Sequence, residues 1–455
     1  MGKRIARVVR GLGSQGALLF GNLILLGIMA CGAAATATSP SAATALTPGP
    51  AVPSGLGGPG SPNPSSTPTG SASNGGGDER RSAGAAAPGE TPTPPPPAAP
   101  PEVPALDKSI HSVPLEDIIF DTFSGSPPSV PLDRASDDVI RRLRDAIKPI
   151  DRPVYGARGD LPWLDDDKLV LGYRSQSGAY AYPVNVLDFH EIVNDVIDGV
   201  PILVTYCPLC FSGVVFGREL DGRVLTFGNT SALYQSDLVM YDHQTGSYWF
   251  QVGGEAVVGS LTGSRLALLP SVTMVWGEWK SLYPETRLLT GFSGAPTAFA
   301  DGRYRRGFSG GYQDRINEER FVFPVDTDKL DGRLSSGEIV LTVEVGDAAT
   351  AFPLGLIGDG AVNRDVGGQP VVVFARAGNR AAAAFSRVVD GRTLNFDFRD
   401  DDQSFVDRET GSAWDAGGRA TSGPLAGSDL EQLNTRRAFW FSVAIAFPGL
   451  DVYLP

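Results

Sequence analysis

Cys207 and Cys210 stand three apart, with Pro208 and Leu209 between them, where an apolar run from Pro201 to Tyr206 stops. The chain has 455 residues and three cysteines, the third being Cys31, which is too few for a disulfide scaffold. The pair therefore needs a local explanation, and three chemistries fit it. A Cys-x-x-Cys beside an imidazole lowers a thiol pKa toward ambient pH and permits thiol–disulfide exchange. Two thiolates and one imidazole also suit copper or zinc. A bridge between the two cysteines is the structural reading, and so small a loop gains only about 2 kcal/mol in the chain-entropy model. With no second Cys-x-x-Cys, a closed four-thiolate zinc site within one chain is excluded.

The imidazole proposed by spacing is His190. If Asp198-Gly199 is a two-residue hairpin turn, Ile197 pairs with Val200 and Val196 with Pro201. That register leaves Pro201 where no N–H is required. Carried to the end of the apolar run, it sets His190 opposite Cys207 as a non-hydrogen-bonded pair, whose Cβ atoms lie about 4.5–5.5 Å apart.

The same hairpin has a relative further on. VNDVIDGVPILVTY from Val193 lines up with VNRDVGGQPVVVFA from Val362, and FGRELDGRVLTF with FSRVVDGRTLNF. DHQTGSYW from Asp242 matches DRETGSAW from Asp407, and Gly254, Gly259 and Gly263 match Gly418, Gly423 and Gly427. The sequence thus predicts two copies of one β-rich unit, at about 168–290 and 338–455, joined by a linking stretch near Thr290 to Gly337. What the copies share reads as turn chemistry and core: Asp221-Gly222, Asp390-Gly391, the Thr-Gly-Ser turn, Trp249 and Trp414. What only the first has is His190, Glu191, Cys207, Cys210 and His243. The second has Asp359, Gly360, Arg376, Asn379 and Arg408 there. Asp359 would face Arg376 as a salt bridge in place of the His/Cys pair.

Period-two alternation between Gly, Asp and Pro punctuation predicts a mainly β fold, of meander, barrel or sandwich type, with a few short helices. Ser136 ahead of Asp137 and Asp138 predicts a capped helix running to Pro149, and a second helix is expected from Thr273 to Tyr283.

The N-terminus reads as a lipoprotein signal. Lys3, Arg4, Arg7 and Arg10 precede an apolar Ala17–Ala30, and Ile28-Met29-Ala30-Cys31 has the form of a lipobox whose cysteine is acylated after cleavage. Residues 1–31 are then the signal and 32–106 a tether of Ala, Pro, Gly, Ser and Thr, which cannot bury enough apolar surface to fold. A coil of that length averages on the order of 50 Å end to end. The folded part, 107–455, is expected outside the cytoplasm and anchored to a membrane through its lipid, in an oxidising compartment.

A formal charge of -13 argues against a nucleic-acid surface. Asp326 to Gly337 fails the EF-hand spacing, no Gly-x-Ser-x-Gly occurs, and Phe308-Ser309-Gly310-Gly311-Tyr312 lacks the Lys-Ser/Thr of a phosphate loop. Asp400-Asp401-Asp402 reads as a solvated charge run, and His243 as a turn residue.

The string HEIVND from His190, TYCPLC from Thr205, LTFG from Leu225, YQSDLVMYD from Tyr234, then Thr245-Gly246-Ser247 and Trp249 resembles a bacterial and archaeal family of domains of unknown function, number thirty-one seventy-nine. The similarity covers roughly Ala135 to Pro455. It implies an extracytoplasmic or membrane-tethered protein with His190, Cys207 and Cys210 inside the motif, and supplies no established reaction. His243 departs from the family, where Arg is expected.

The anchor is testable in the native host. Mass spectrometry of the mature protein is expected to find Cys31 first and acylated, and Cys31→Ala to move the protein from the membrane to the soluble fraction. An unmodified Cys31 refutes the reading.

Overall fold

A computed structural model describes residues 102–455 apart from 124, 309, 310 and 379. The signal segment, Cys31 and the tether as far as residue 101 lie outside the described residues, as does Asn379. The fold is mainly β, in several sheets with a few short helices. Among the described residues no helix is long and apolar enough to cross a membrane.

Two-residue turns set the strand pairing. Asp198 and Gly199 have φ of 53° and 78°, Asp221 and Gly222 50° and 72°, Gly367 and Gly368 57° and 81°, and Asp390 and Gly391 49° and 74°. Left-handed values at both central residues match the right-handed twist of the strands they join. The first turn pairs Ile192–Ile197 with Val200–Cys207, from Ile197↔Val200 to Ile192↔Thr205, in the expected register. The third pairs Gly360–Val366 with Gln369–Arg376, from Val366↔Gln369 to Gly360↔Ala375.

The largest sheet runs in the order Ile150–Asp151, Ile192–Ile197, Val200–Cys207, Ser212–Gly217, Thr435–Phe439, Ile339–Val345, Ala348–Pro353, Asp451–Val452. Its first half is the cysteine hairpin and its third strand, and the join is made at Gly213↔Arg437. A second sheet orders Ser271–Val275, Leu169–Ser175, Gly178–Pro183 and Arg287–Phe292, the last parallel to its neighbour. The run from Thr435–Phe439 to Asp451–Val452 has the same order and directions. A third sheet orders Glu255–Val258, Tyr248–Phe250, Asp237–Asp242 and Phe227–Tyr234, with Ile118–Asp121 and Ser129–Pro131 added beyond it. Phe396–Arg399, Ser404–Asp407, Ala413–Trp414 and Ala420–Ser422 form a smaller sheet of the same strand order.

Helices are shorter than the sequence suggests. Ser136 caps Asp137–Leu143 by accepting from Val139 N–H at 3.4 Å, but the helix stops well before Pro149: Arg144 leaves helical backbone at ψ 128° and Asp145 follows left-handed at φ 52°. Thr273 belongs to a strand, since Ser271–Val275 pairs with Leu169–Ser175, and the helix is Trp276–Leu282. Sheet pairing here overrides local pattern.

The shared motif is a rigid corner. Asp242 Oδ1 accepts from Thr245 N–H at 2.6 Å, while Oδ2 accepts from the Thr245 hydroxyl at 2.8 Å and from the Trp249 indole at 3.0 Å. Asp407 does the same for Thr410 and Trp414, at 2.6, 2.9 and 3.0 Å. Both indoles are fully buried. A Cβ on Gly254 would come within 2.6 Å of the Phe216 ring, and one on Gly418 within 2.6 Å of Phe385, so each corner also needs its glycine.

Trp414→Ala is expected to cost about 3–5 kcal/mol in urea unfolding, from lost burial plus a cavity. Asp407→Ala, which strands the indole N–H and the Thr410 donors, is expected to cost about 1–3 kcal/mol.

Candidate metal centre

The Cys207–Cys210 stretch is the loop of a second hairpin, since Cys207 pairs with Ser212. Phe211, at φ 55°, turns the chain back, and Phe439 N–H donates to Cys210 O at 2.8 Å. Cys207 is 1% exposed and Cys210 0%. Both thiols are free.

The group that meets them comes from another turn. Tyr234↔Asp237 closes the loop Gln235-Ser236, whose φ values of 52° and 61° are those of a turn usually built from Asn and Gly. Both residues are buried, and left-handed backbone in such side chains is the kind of strain that persists where the surroundings over-determine it. Gln235 accepts from Asp326 N–H at 2.7 Å, so the linking stretch after Thr290 holds this turn. Ser236 O accepts from the Cys210 thiol at 3.3 Å, and Asp237 follows it into the site. Cys207 Sγ, Cys210 Sγ and an Asp237 oxygen all lie within 4.8 Å of one another.

Gln251 clamps the two turns together. It is fully buried, donates to Thr205 Oγ1 at 2.8 Å, accepts from Ser212 Oγ at 2.7 Å, and its backbone N–H donates to Leu238 O at 3.0 Å. The next N–H, of Val252, donates to Asp237 Oδ2 at 3.0 Å, and Leu238 N–H to Oδ1 at 2.8 Å. The carboxylate is thus aimed from both oxygens.

Glu191 adds a second acid. The helix Val184–His190 ends with Glu191 left-handed at φ 57°, and Asn229 Nδ2 donates to its Oε2 at 2.6 Å. Its backbone N–H closes the helix on Leu187 O at 2.8 Å, and its carbonyl accepts from Tyr206 N–H at 2.8 Å. His190 is therefore not across from Cys207, because the chain is already helical there and the strand starts only at Ile192. Its Nδ1 meets Lys148 O at 2.8 Å, its Nε2 the Tyr304 hydroxyl at 3.1 Å, and its ring packs on Phe299. Lys148 O only accepts, so Nδ1 carries the proton and Nε2 accepts from Tyr304. Burial pushes this imidazole down, away from the charged form.

Nor do the second-copy positions make the expected salt bridge. Asp359 accepts from Ala377 N–H at 2.7 Å and Arg376 donates to Gln403 O at 3.0 Å. His243 is half-buried and stacks on Tyr241, with ring centroids 5.2 Å apart. Asp402 pairs with Arg399.

Charge is the central property of the site. Burial raises both thiols, Cys210 the more. Burial likewise lifts Glu191 to about 8 and Asp237 to about 6, although the backbone and thiol hydrogen bonds to Asp237 pull it down. The charged neighbours that act on these groups are one another and Asp188. Without a cation Glu191 and both thiols hold their protons at neutral pH, while Asp237 gives its proton up above about 6. Asp237 was hidden in the sequence because Asp402 stands at the corresponding place, so a filter that keeps only what the copies do not share discards it.

Raised carboxyl pKa values carry a definite sign for stability. Between about 4 and 8 the unfolded Glu191 and Asp237 lose protons that the fold retains, so the unfolded chain is progressively favoured. With metal chelated, the melting temperature is expected to be highest near pH 4–5 with respect to these groups and to fall as pH rises toward 8. Glu191→Gln should flatten the upper part of that fall, in a series of thermal melts across pH. An unchanged slope would contradict the assigned protonation.

No curated protein and no solved structure matches the chain. The family model described as "Protein of unknown function (DUF3179)" matches residues 144–449, a span that takes in the helix ending at Glu191, the cysteine hairpin, the Asp237 turn and Arg437. The chain belongs to that family.

Proposed function

We propose that this protein is a membrane-anchored, extracytoplasmic metal protein whose centre is Cys207, Cys210 and Asp237. The observation that carries it is a fully buried cluster of two thiols and a carboxyl, pre-aimed from two clamped turns, with acids as its charged neighbours. A bound cation supplies the missing countercharge and deprotonates the thiols. Two sulfurs with one carboxylate oxygen favour zinc over copper(I), which selects softer sets. Three protein ligands leave a fourth position, the arrangement of catalytic zinc sites, and Glu191, half-buried and close enough to act on the Cys207 thiol, is a proton-carrying group beside the cluster. Thiol–disulfide exchange is the weaker reading, since both thiols are buried and raised, the opposite of a reactive cysteine.

The second half of the chain supports this by contrast. If the chain is two copies of one unit, the position of Cys207 is held by Arg376, which brings its own positive charge, and Asp402 there has Arg399. On that reading one copy kept a place for a metal cation and the other replaced it with guanidinium groups.

Elemental analysis of protein purified without chelator is expected to give about one zinc per folded chain. Cys207→Ser, Cys210→Ser and Asp237→Asn are each expected to lose it, and His190→Ala to retain it. Zinc should also raise the melting temperature of the wild type alone. A metal-free wild type that gains no stability from zinc or copper(I), with a bridge resistant to mild reductant, would sink the proposal in favour of a binding module stapled by a disulfide.

A further inference from the structure

Four arginines are buried among the described residues, and three of them have a hydrogen bond or an ion pair, although Nε of Arg387 and of Arg436 has no hydrogen-bond partner. Arg218 donates to Asp195 O, Ile202 O and Leu225 O at 2.7 to 3.2 Å. Arg387 donates to Leu394 O at 3.2 Å and Asn395 Oδ1 at 2.7 Å and pairs with Asp365 at 3.2 Å. Arg436 pairs with Glu344 and lies over the rings of Phe447 and Phe216.

Arg437 is different. It is 5% exposed, yet among the described residues its guanidinium makes no hydrogen bond or ion pair; its Nε is sealed from solvent like those of Arg387 and Arg436, but no carboxylate stands beside it as one does beside each of them. It lies 4.8 Å over the Phe211 ring, and the ionisable groups that act on its charge are Tyr206 and a second cation, Arg380. Arg380 is itself tied down, donating to Asp167 O at 2.8 Å. In the sheet, Arg437 pairs with Gly213, which pairs with Tyr206, so the phenol and the guanidinium flank a residue with no side chain. A buried cation with no acid beside it is costly, and two cations converging make it more so. Adjacent in sequence, Arg436 and Arg437 point to opposite faces of the strand; the first has its carboxylate inside the protein and the second does not.

We propose that Arg437 is an anion-binding residue, taking an oxyanion or carboxylate against its guanidinium with Arg380 contributing charge and Phe211 and Tyr206 forming the walls. The planar fork of Arg matches phosphate, sulfate or carboxylate through paired hydrogen bonds. Because successive residues of a strand face opposite sides, this position lies across the hairpin from Cys207 and is separate from the thiol cluster. It shares the Cys210–Phe211 turn with it.

The probes are inorganic phosphate, sulfate and acetate, each against chloride at equal ionic strength, read by thermal melts and by calorimetric titration of the whole folded chain. Phosphate or sulfate without acetate marks a free oxyanion site; acetate as well marks a carboxylate-accepting one. The wild type is expected to show a saturable rise in melting temperature at low millimolar anion, the same with zinc present or chelated. Arg437→Met is expected to abolish it and to be at least as stable as wild type without anion, since it removes an unpaired buried charge. Arg437→Lys, which keeps the charge and loses the fork, should weaken phosphate by about tenfold or more, and Arg380→Ala by a smaller factor. No saturable response in the wild type, or an equal response in Arg437→Met, overturns the proposal; should that variant not fold, an equal response in Arg437→Lys and Arg380→Ala does so.

Discussion

The position of the two cysteines relative to Asp237 depends on one buried amide. Gln251 holds the hairpin that ends in Cys207 and the one that begins with Asp237 by accepting from one strand and donating to another, while its own backbone and that of Val252 fix the strand carrying the carboxylate. A fully buried amide that spends both its donor and acceptor on side chains costs little in desolvation and specifies geometry strongly, because half-satisfying it would be expensive. The left-handed turns at Phe211 and at Gln235-Ser236 are affordable only inside such a frame. Strain at two facing turns, with thiols on one and a carboxyl on the other, marks where the fold gives up stability for a fixed arrangement of donors.

Much of this frame was legible in the residues. Asp198-Gly199 and its three relatives prescribe left-handed pairs of turn residues, and the register of each hairpin follows from that chemistry alone. The Asp-x-x-Thr-Gly-Ser-x-Trp string could be read as turn and core because its hydrogen bonds are local. The errors arose where a local rule met a long-range one. Extending the hairpin to His190 assumed that strand continues as long as alternation does, yet Val184–His190 is helical and Glu191 reverses the chain. Nothing within seven residues of Val, Asn, Leu, Asp, Phe and His announces that; the helix is held by packing of Val184, Val186 and Leu187. Gln251 was invisible for another reason, since its significance lies in contacts with Thr205 and Ser212, 46 and 39 residues away in the chain.

The same charge logic governs the whole interior. Arg218 is spent on carbonyl oxygens and Arg387 largely so, Arg436 on a carboxylate, and the acid cluster on itself. A low-dielectric interior tolerates acids and thiols whose pKa values burial has lifted, because each keeps its proton to a higher pH than it would in water. It does not tolerate an unpaired guanidinium in that way, since arginine keeps its proton even when burial draws its pKa down to about 10, as it does for Arg437. Glu191 and the thiols can thus stay neutral by holding protons, while Arg437 has no neutral form to retreat to at physiological pH. That asymmetry separates the two faces of the hairpin: protonation relieves much of the charge of the thiol–carboxylate cluster, and nothing inside the protein does the same for the arginine on the other face.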